Sequence, residues 1–349
     1  MSLTNKAAWL RAPKAVPLEV GPAPMPTPEG TEIVIEVRAV AINPVDPAIQ
    51  FMGILLQPSD YPFILGFDMA GTVLSVGPNH THYKPGDRVT SIALALLHKN
   101  PKFGAFQHYA VADGPLMAKI PDSMSFNEGS VLGLGLATAS YSLFSKDALA
   151  LDLPKPGGNK LNGKLLLVWG GASSVGACGI QIAKAAGYTI AATASARNFG
   201  LLREIGAEYV FDYSSKGVVE DIVAALSGKG VEMAGVFSAI VAPSVLLQCA
   251  AISGRLGGRK HVGTVLAPGM PLPGDWPEGV EYSISLPALI ATNEVGKAVG
   301  GWLEGALADG SMKCRPNFEV VGKGLEEIQG AFGVLSKGVS AKKLVVEIP

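Results

Sequence analysis

Leu165-Leu-Leu-Val-Trp-Gly-Gly-Ala-Ser-Ser-Val-Gly176 is the stretch on which the reading of the chain turns. An apolar run passes into a Gly-rich corner, and Gly176-Ala-Cys-Gly-Ile-Gln-Ile-Ala-Lys-Ala-Ala186 follows with helical composition. Strand, glycine turn and helix in that order are the context in which a dinucleotide fingerprint carries meaning. The helix N-terminus offers N–H groups to a pyrophosphate, and the small residues let the backbone approach it. The strict G-x-G-x-x-G is not met: Gly171 and Gly176 are in place, but Ser173 holds the middle position, with Ser174 and Val175 between it and Gly176. A small residue there still permits the approach. The competing reading is an ordinary tight turn in an unliganded α/β domain.

The next apolar run ends in Thr193-Ala-Ser-Ala-Arg-Asn198, with Ser195 19 positions beyond Gly176. That is close to the roughly 20 at which such a domain places the residue that reads the adenosine ribose. A site for NADH would carry Asp or Glu there, to accept from the 2′-hydroxyl. This segment has no acid, and Ser195, Ala196, Arg197 and Asn198 supply a hydroxyl, a guanidinium and an amide, which suit a 2′-phosphate. NADPH is therefore the expected cofactor.

Working outward, apolar runs and amphipathic segments alternate from about Lys164 to Val265, the pattern of a parallel sheet covered on both faces. Upstream, Glu32–Ile42, Gly71–Val76, Arg88–Ala93, Phe106–Val111 and Leu116–Ile120 read as short strands punctuated by Gly and Pro, a barrel-like or sandwich-like unit. Thr138–Leu149 has helical spacing. Beyond about Pro287, Val295–Ala308 and Leu325–Leu335 read as helices and Lys342–Ile348 as a closing strand. The Pro- and Gly-rich segment Leu266–Pro287 reads as either a substrate-facing loop or a plain surface connection.

The 349 residues suggest about two domains. Apolar residues make up 48% and charged residues 16%, which excludes disorder as the main state. A net charge of −1 leaves no electrostatic footprint for nucleic acid or an anionic membrane. A mean hydropathy of +0.32 raises the question of a bilayer span. However, the uncharged stretch Leu165–Ala183 breaks at Gly170-Gly171 and Met233–Gly254 breaks at Ala242-Pro243, so neither is expected to cross a membrane. Three cysteines (Cys178, Cys249 and Cys314) give no disulfide framework, and no secretory signal is read at the N-terminus. A cytoplasmic protein is expected.

Several motifs then converge on one family. Ala41-Ile-Asn-Pro-Val-Asp46, Gly66-Phe-Asp-Met-Ala-Gly71, Lys84-Pro-Gly-Asp-Arg-Val89, Gly206-Ala-Glu-Tyr-Val-Phe-Asp-Tyr213 and Gly254-Arg-Leu-Gly-Gly258 span nearly the whole chain. With them, the sequence resembles the medium-chain dehydrogenase/reductase family in its quinone-reductase and enoyl-reductase branch. Ala194-Ser195…Asn198-Phe199 and Ser340…Lys343-Leu-Val-Val-Glu-Ile348 look most like the trans-acting enoyl reductases of fungal polyketide pathways. The resemblance implies an α/β protein with a GroES-like, β-rich catalytic domain and a doubly wound Rossmann domain. Residues 1–133 would form the first part of the catalytic domain, 134–287 the Rossmann domain, and 288–349 the return to the catalytic domain, with the active cleft at the junction.

The resemblance also implies site roles. Asn43, Val45, Asp46 and Ala48 would border the nicotinamide, with Asn43 a candidate for positioning it. Thr138 would lie near the nicotinamide ribose or phosphate, or else serve only as a helix N-cap. Gly171, Ser173, Ser174, Val175 and Gly176 would hold the pyrophosphate, and Ser195–Asn198 the 2′-phosphate. Tyr213 would pack at the adenosine end, Thr264 and Val265 would meet the carboxamide, and Ala341 and Lys342 would close over the cofactor.

The departures bear on the chemistry. Zinc alcohol dehydrogenases of the family carry Cys where this chain has Asn43, and His-Glu where it has Phe67-Asp68. Catalytic zinc takes three protein ligands, so no metal is expected, and Asp68 reads as a buried structural carboxylate. The pair His80-x-His82 reads as a solvated loop. Some relatives carry Lys where this chain has Ala48, so that role does not transfer and no general acid is named. Without a Lewis acid an alcohol–ketone reaction loses its alkoxide stabiliser. Hydride addition to an activated C=C needs only donors or a proton source for the enolate. The expected function is NADPH-dependent reduction of an enoyl thioester or quinone-like acceptor, the substrate being a small molecule or a carrier-bound acyl chain. The competing readings are a non-catalytic NADPH-binding protein and a zinc-dependent alcohol dehydrogenase. A dimer or a monomer is expected.

Overall fold

The structure is a computed structural model and describes residues 3–230 and 232–349. Met1 and Ser2, the start of the stretch read for a signal, lie outside the described residues. The chain divides into two units: Met1–Leu134 with Asn317–Pro349, and Gly135–Pro316.

The first unit is built on a seven-stranded sheet. Its order is Asn317–Lys323, Lys342–Glu347, Ile33–Ala41, Asp68–Val76, Arg88–Ile92, Met117–Lys119, with Tyr109–Ala112 paired to Ile33–Ala41. A smaller sheet joins Glu19–Ala23, Asn5–Leu10 and Phe63–Ile64. Ile33, Val34, Ile35 and Val40 are fully buried, and the core extends to Phe106 and Phe332, whose ring centres lie 6.1 Å apart. Register matters most at one end of the sheet. Ala41 lies opposite Val345 on one side and opposite Asp68 on the other. Two residues beyond Ala41 comes Asn43, and two before Val345 comes Lys343, so antiparallel pairing brings Asn43, Asp68 and Lys343 to the same strand ends. A helix absent from the sequence reading, Val45–Met52, starts immediately afterwards with Asp46 in its first turn.

The second unit carries a six-stranded parallel sheet in the order Tyr209–Asp212, Thr189–Ala194, Lys164–Trp169, Glu232–Ser238, His261–Thr264, Glu281–Ser283. Numbered along the chain, this is the doubly wound order 3-2-1-4-5-6, in which a ligand binds beyond the carboxyl ends of the strands where the order reverses. Leu165, Leu166, Leu167 and Val168 are all 0% exposed, as a strand covered on both faces requires. Among the described residues no helix is long and apolar enough to cross a membrane.

Three expectations are corrected. The return to the first unit falls after Pro316, not at 287/288. Helix Glu294–Ala308 buries Val299, Trp302 and Leu303 and belongs to the second unit, and Arg315 and Lys313 tie the segment after it to Glu204 at 2.7 and 3.2 Å. The helix expected from Thr138 starts at Gly133, so Thr138 lies mid-helix and is no N-cap. Gly133 and Gly135, in the first turn of that helix, permit close approach: a Cβ on Gly133 would sit 2.3 Å from Asp68 Oδ1, and one on Gly135 2.5 Å from Ser174 Oγ. Finally, the segment 266–287 is not all loop, because Glu281–Ser283 adds the sixth parallel strand beside His261–Thr264.

Candidate functional site

In the second unit, strand Lys164–Trp169 ends in Gly170, whose φ of +80° is open to glycine and strained for other residues. A Cβ on Gly176 would lie 2.3 Å from Gly170 O, so the corner closes only with glycine at both places. Ser173 does more than stay small. It is the N-cap of helix Ser174–Ala185: its hydroxyl accepts the Gly176 N–H at 3.0 Å and donates to Gly170 O at 2.8 Å. The cap fixes a full-length helix whose first turn, at Ser174 and Val175, presents its N–H groups and the positive end of its dipole.

The neighbouring strand completes the edge. Thr193 Oγ1 accepts the Gly170 N–H at 3.0 Å, which holds the corner against Thr189–Ala194. Beyond that strand, Asn198 Nδ2 donates to Ser195 Oγ at 3.1 Å across a short turn over Ala196–Asn198. Arg197 is exposed and makes no ion pair or hydrogen bond to the described residues, an uncommitted guanidinium beside a hydroxyl and an amide. Tyr213 is half exposed. Asp212, which the sequence reading passed over, faces Ala194 across the strand pair. The Ser214 hydroxyl and amide, at 2.7 and 2.9 Å, hold its carboxylate below the usual range. Thr138 is buried. The Thr264 hydroxyl is already spent, donating to Ser283 O at 2.9 Å and accepting the Leu266 N–H at 3.2 Å, so what it can offer a ligand is backbone, as can the half-buried Val265. These residues fit a dinucleotide: a glycine cradle, a capped helix N-terminus and an unpaired cation stand at neighbouring strand ends.

In the first unit the strand ends assemble a polar cluster in an apolar core. Lys343 is 4% exposed, Asn43 4%, and Asp46 and Asp68 0%. Lys343 Nζ donates to Asn43 Oδ1 at 2.5 Å and lies 2.8 Å from Asp68 Oδ2. The second contact is ionic only: Asp68 Oδ2 makes no hydrogen bond among the described residues. Asp68 Oδ1 accepts the Leu134 N–H at 2.5 Å. The Asn43 N–H donates to Asp46 Oδ2 at 2.7 Å, which turns the chain into helix Val45–Met52, while Asp46 Oδ1 makes no hydrogen bond among the described residues. Burial pushes the Asp46 carboxyl up to about 8, and the Asp68 charge adds to the rise, against the pull of the Asn43 N–H. One carboxylate then balances one ammonium at neutral pH, which a buried cation requires. Val45 and Ala48, on the same helix, are half-buried and offer only apolar surface.

The sequence reading named Lys342 and passed over Lys343. In the strand Lys342–Glu347, successive side chains point to opposite faces. Lys342 is exposed and pairs with Glu319 at 2.5 Å, while Lys343 turns in to Asn43 and Asp68. Ala341, just before them, has a φ of +51°, uncommon for a residue with a Cβ. His80, read as part of a solvated pair, has both ring nitrogens engaged, with Thr31 O at 2.8 Å and the Tyr83 N–H at 2.9 Å. Among the described residues, no three His, Cys, Asp or Glu side chains are grouped to hold a metal ion.

Comparison with known proteins covers both units. Residues 29–122 match the alcohol dehydrogenase GroES-like domain family, and residues 174–273 match the zinc-binding dehydrogenase family. The chain is 40% identical over 347 residues to the dehydrogenase azaJ of Aspergillus niger, covering 99% of both. It is 37% identical over 352 residues to the trans-enoyl reductase himH of Aspergillus japonicus, covering 99% of this chain and 98% of that one. An alcohol dehydrogenase superfamily protein from Novosphingobium aromaticivorans shares the fold, with a TM-score of 0.76 at 24% identity over 99% of this chain and 100% of that one.

Proposed function

The chain belongs to the medium-chain dehydrogenase/reductase family, in the branch that holds fungal trans-enoyl reductases, and from that premise we propose that it reduces an activated C=C with hydride from NADPH and without zinc. The observation that carries this reading is the Lys343 ammonium 2.5 Å from Asn43 Oδ1 and 2.8 Å from Asp68 Oδ2. At the positions where zinc-dependent members carry ligands stand a carboxamide and the Phe67 ring, and the carboxylate beside them is taken by Lys343. Zinc takes thiolate, imidazole or carboxylate, so this donor set does not fit the metal.

NADPH, when bound, supplies the hydride. The Gly170–Gly176 corner and the capped helix N-terminus would meet its pyrophosphate. Ser195, Arg197 and Asn198 would take the 2′-phosphate through charge-assisted hydrogen bonds, with Tyr213 at the adenosine end and Val265 toward the carboxamide. The acceptor is an α,β-unsaturated carbonyl compound, such as an enoyl thioester on a small thiol or a carrier protein, because its reduction creates an enolate that hydrogen-bond donors stabilise. The similarity to himH, a trans-enoyl reductase, supports an enoyl acceptor over a quinone. On this reading the enzyme works in the cytosol.

The test is NADPH oxidation by chelator-treated protein with a crotonyl thioester of N-acetylcysteamine, 1,2-naphthoquinone and acetone as acceptors. Turnover of the thioester unchanged by chelation supports the proposal. Turnover of acetone that appears only with added zinc overturns it.

A further inference from the structure

The orientation of the Asn43 carboxamide is fixed by its neighbour. An ammonium has only hydrogens to give, so the atom 2.5 Å from Lys343 Nζ is the carbonyl oxygen. Nδ2 therefore points away. One of its hydrogens reaches Ala41 O at the long distance of 3.5 Å, and the other meets no acceptor among the described residues. The result is a buried carboxamide pinned at its oxygen, with its donor end barely engaged. Lys343 is pinned in turn by Asp68, and Asp68 by the Leu134 N–H. The Asn43 backbone is held from the other side by Asp46. Such a chain leaves the side chain one orientation, and a cation on the oxygen strengthens the amide hydrogens as donors.

Resting on the reduction reading above, we propose that Asn43 Nδ2 is the hydrogen-bond donor to the acceptor's carbonyl oxygen, and that Lys343 is the positioning residue that aims it. When hydride from NADPH forms the new C–H bond at the β-carbon, the C=C π pair shifts to give an enolate with negative charge on the carbonyl oxygen. Asn43 Nδ2–H meets that charge. The enolate then takes a proton from water at the α-carbon, so the acceptor is reduced by two electrons and NADPH leaves as NADP⁺. A preset donor is suited to charge that develops only in the transition state, because it needs no reorientation as the charge appears. Lys343 does not fill the donor role itself, since its ammonium is committed to Asn43 and Asp68.

The test uses the full-length protein, NADPH and the crotonyl thioester of N-acetylcysteamine. Lys343→Met alone leaves Asp68 as a lone buried charge, so the principal variant is Lys343→Met with Asp68→Asn, which keeps an acceptor for the Leu134 N–H. This double variant should lower kcat about 10- to 100-fold with the KM for NADPH within about twofold. Asn43→Leu should lower kcat to a similar extent, and combining it with the double variant should add almost nothing, because the residues act as one unit. A folded double variant with the kcat of the parent protein, or losses that multiply, would overturn the proposal. A second readout needs no turnover: the ¹⁵N-labelled side-chain amide pair of Asn43, assigned by its loss in Asn43→Leu. It should move in the double variant, and an unmoved signal would show that Lys343 does not orient the amide. If the parent protein reduces neither thioester nor quinone, the reduction reading fails, and the amide signal still decides whether Lys343 aims Asn43.

Discussion

Lys343 Nζ and Asp68 Oδ2 lie 2.8 Å apart with side chains only 5% and 0% exposed, 275 residues distant in sequence and brought together by the shared pairing of their strands with Ile33–Ala41. A pair this deep is costly to break from one side, because the survivor keeps its charge without its partner. Lys343→Met is expected to destabilise the protein by about 3–5 kcal/mol. Asp68→Asn added to it should recover much of that loss, since no lone charge is then left. Urea unfolding of the two variants measures this; equal destabilisation would mean that the ion pair is not what holds the cluster.

Asp46 gives the stability a pH signature. Burial lifts its carboxyl from 3.8 to about 8 in the folded chain, so between those values the folded state holds a proton that the unfolded chain has released. Unfolding free energy therefore falls as pH rises through this window, by at most roughly 1.4 kcal/mol per pH unit from this group. The contribution is full below about pH 4 and gone above about 8. Asp46→Asn should flatten the slope between pH 5 and 8 in paired unfolding series, the comparison isolating this group from the others that titrate.

Two glycine-to-alanine changes should differ in sign. On Gly133 a Cβ would press on Asp68 Oδ1 at 2.3 Å and disturb the Leu134 hydrogen bond, at an expected cost of about 1–3 kcal/mol. On Gly305, inside helix Glu294–Ala308, a Cβ meets nothing within 4 Å, and alanine should stabilise by about 0.5–1 kcal/mol. Calorimetric melting of both variants decides the pair.

Ser195→Ala with Arg197→Ala tests the cofactor assignment. Loss of charge-assisted bonds of about 1.5–3 kcal/mol to a 2′-phosphate should weaken NADPH by roughly 10- to 100-fold. NADH, which lacks that phosphate, should change little. Fluorescence titration with both nucleotides reads the difference, and equal weakening would place the phosphate elsewhere.

The doubly wound sheet was legible because its signals are local: an apolar strand, a glycine corner and a helix are contiguous in Leu165–Ala186, and the parallel strands repeat the pattern. Ser173 showed as a small residue, but its capping role depends on a backbone angle that composition does not encode. The Lys343 cluster was not legible. Asn43, Asp68 and Lys343 are joined by register across three strands, and the run Leu344-Val345-Val346 is buried on both faces, so no alternation revealed which of Lys342 and Lys343 turns inward. Helix Val45–Met52 is hard to read from sequence because Pro44 is its N-cap and Pro47 lies in its first turn, and proline breaks a helix at interior positions. Both are compatible with a first turn, where an amide N–H has no intrahelical partner to lose.

The central claim is hydride addition to a C=C bond without zinc. Its most direct test is incubation of chelator-treated protein with a crotonyl thioester and NADPH deuterated at the transferred position of C4, followed by NMR of the product. One deuterium at the β-carbon of a saturated thioester is predicted. Deuterium on a carbinol carbon, or label transfer that requires added zinc, would contradict the account.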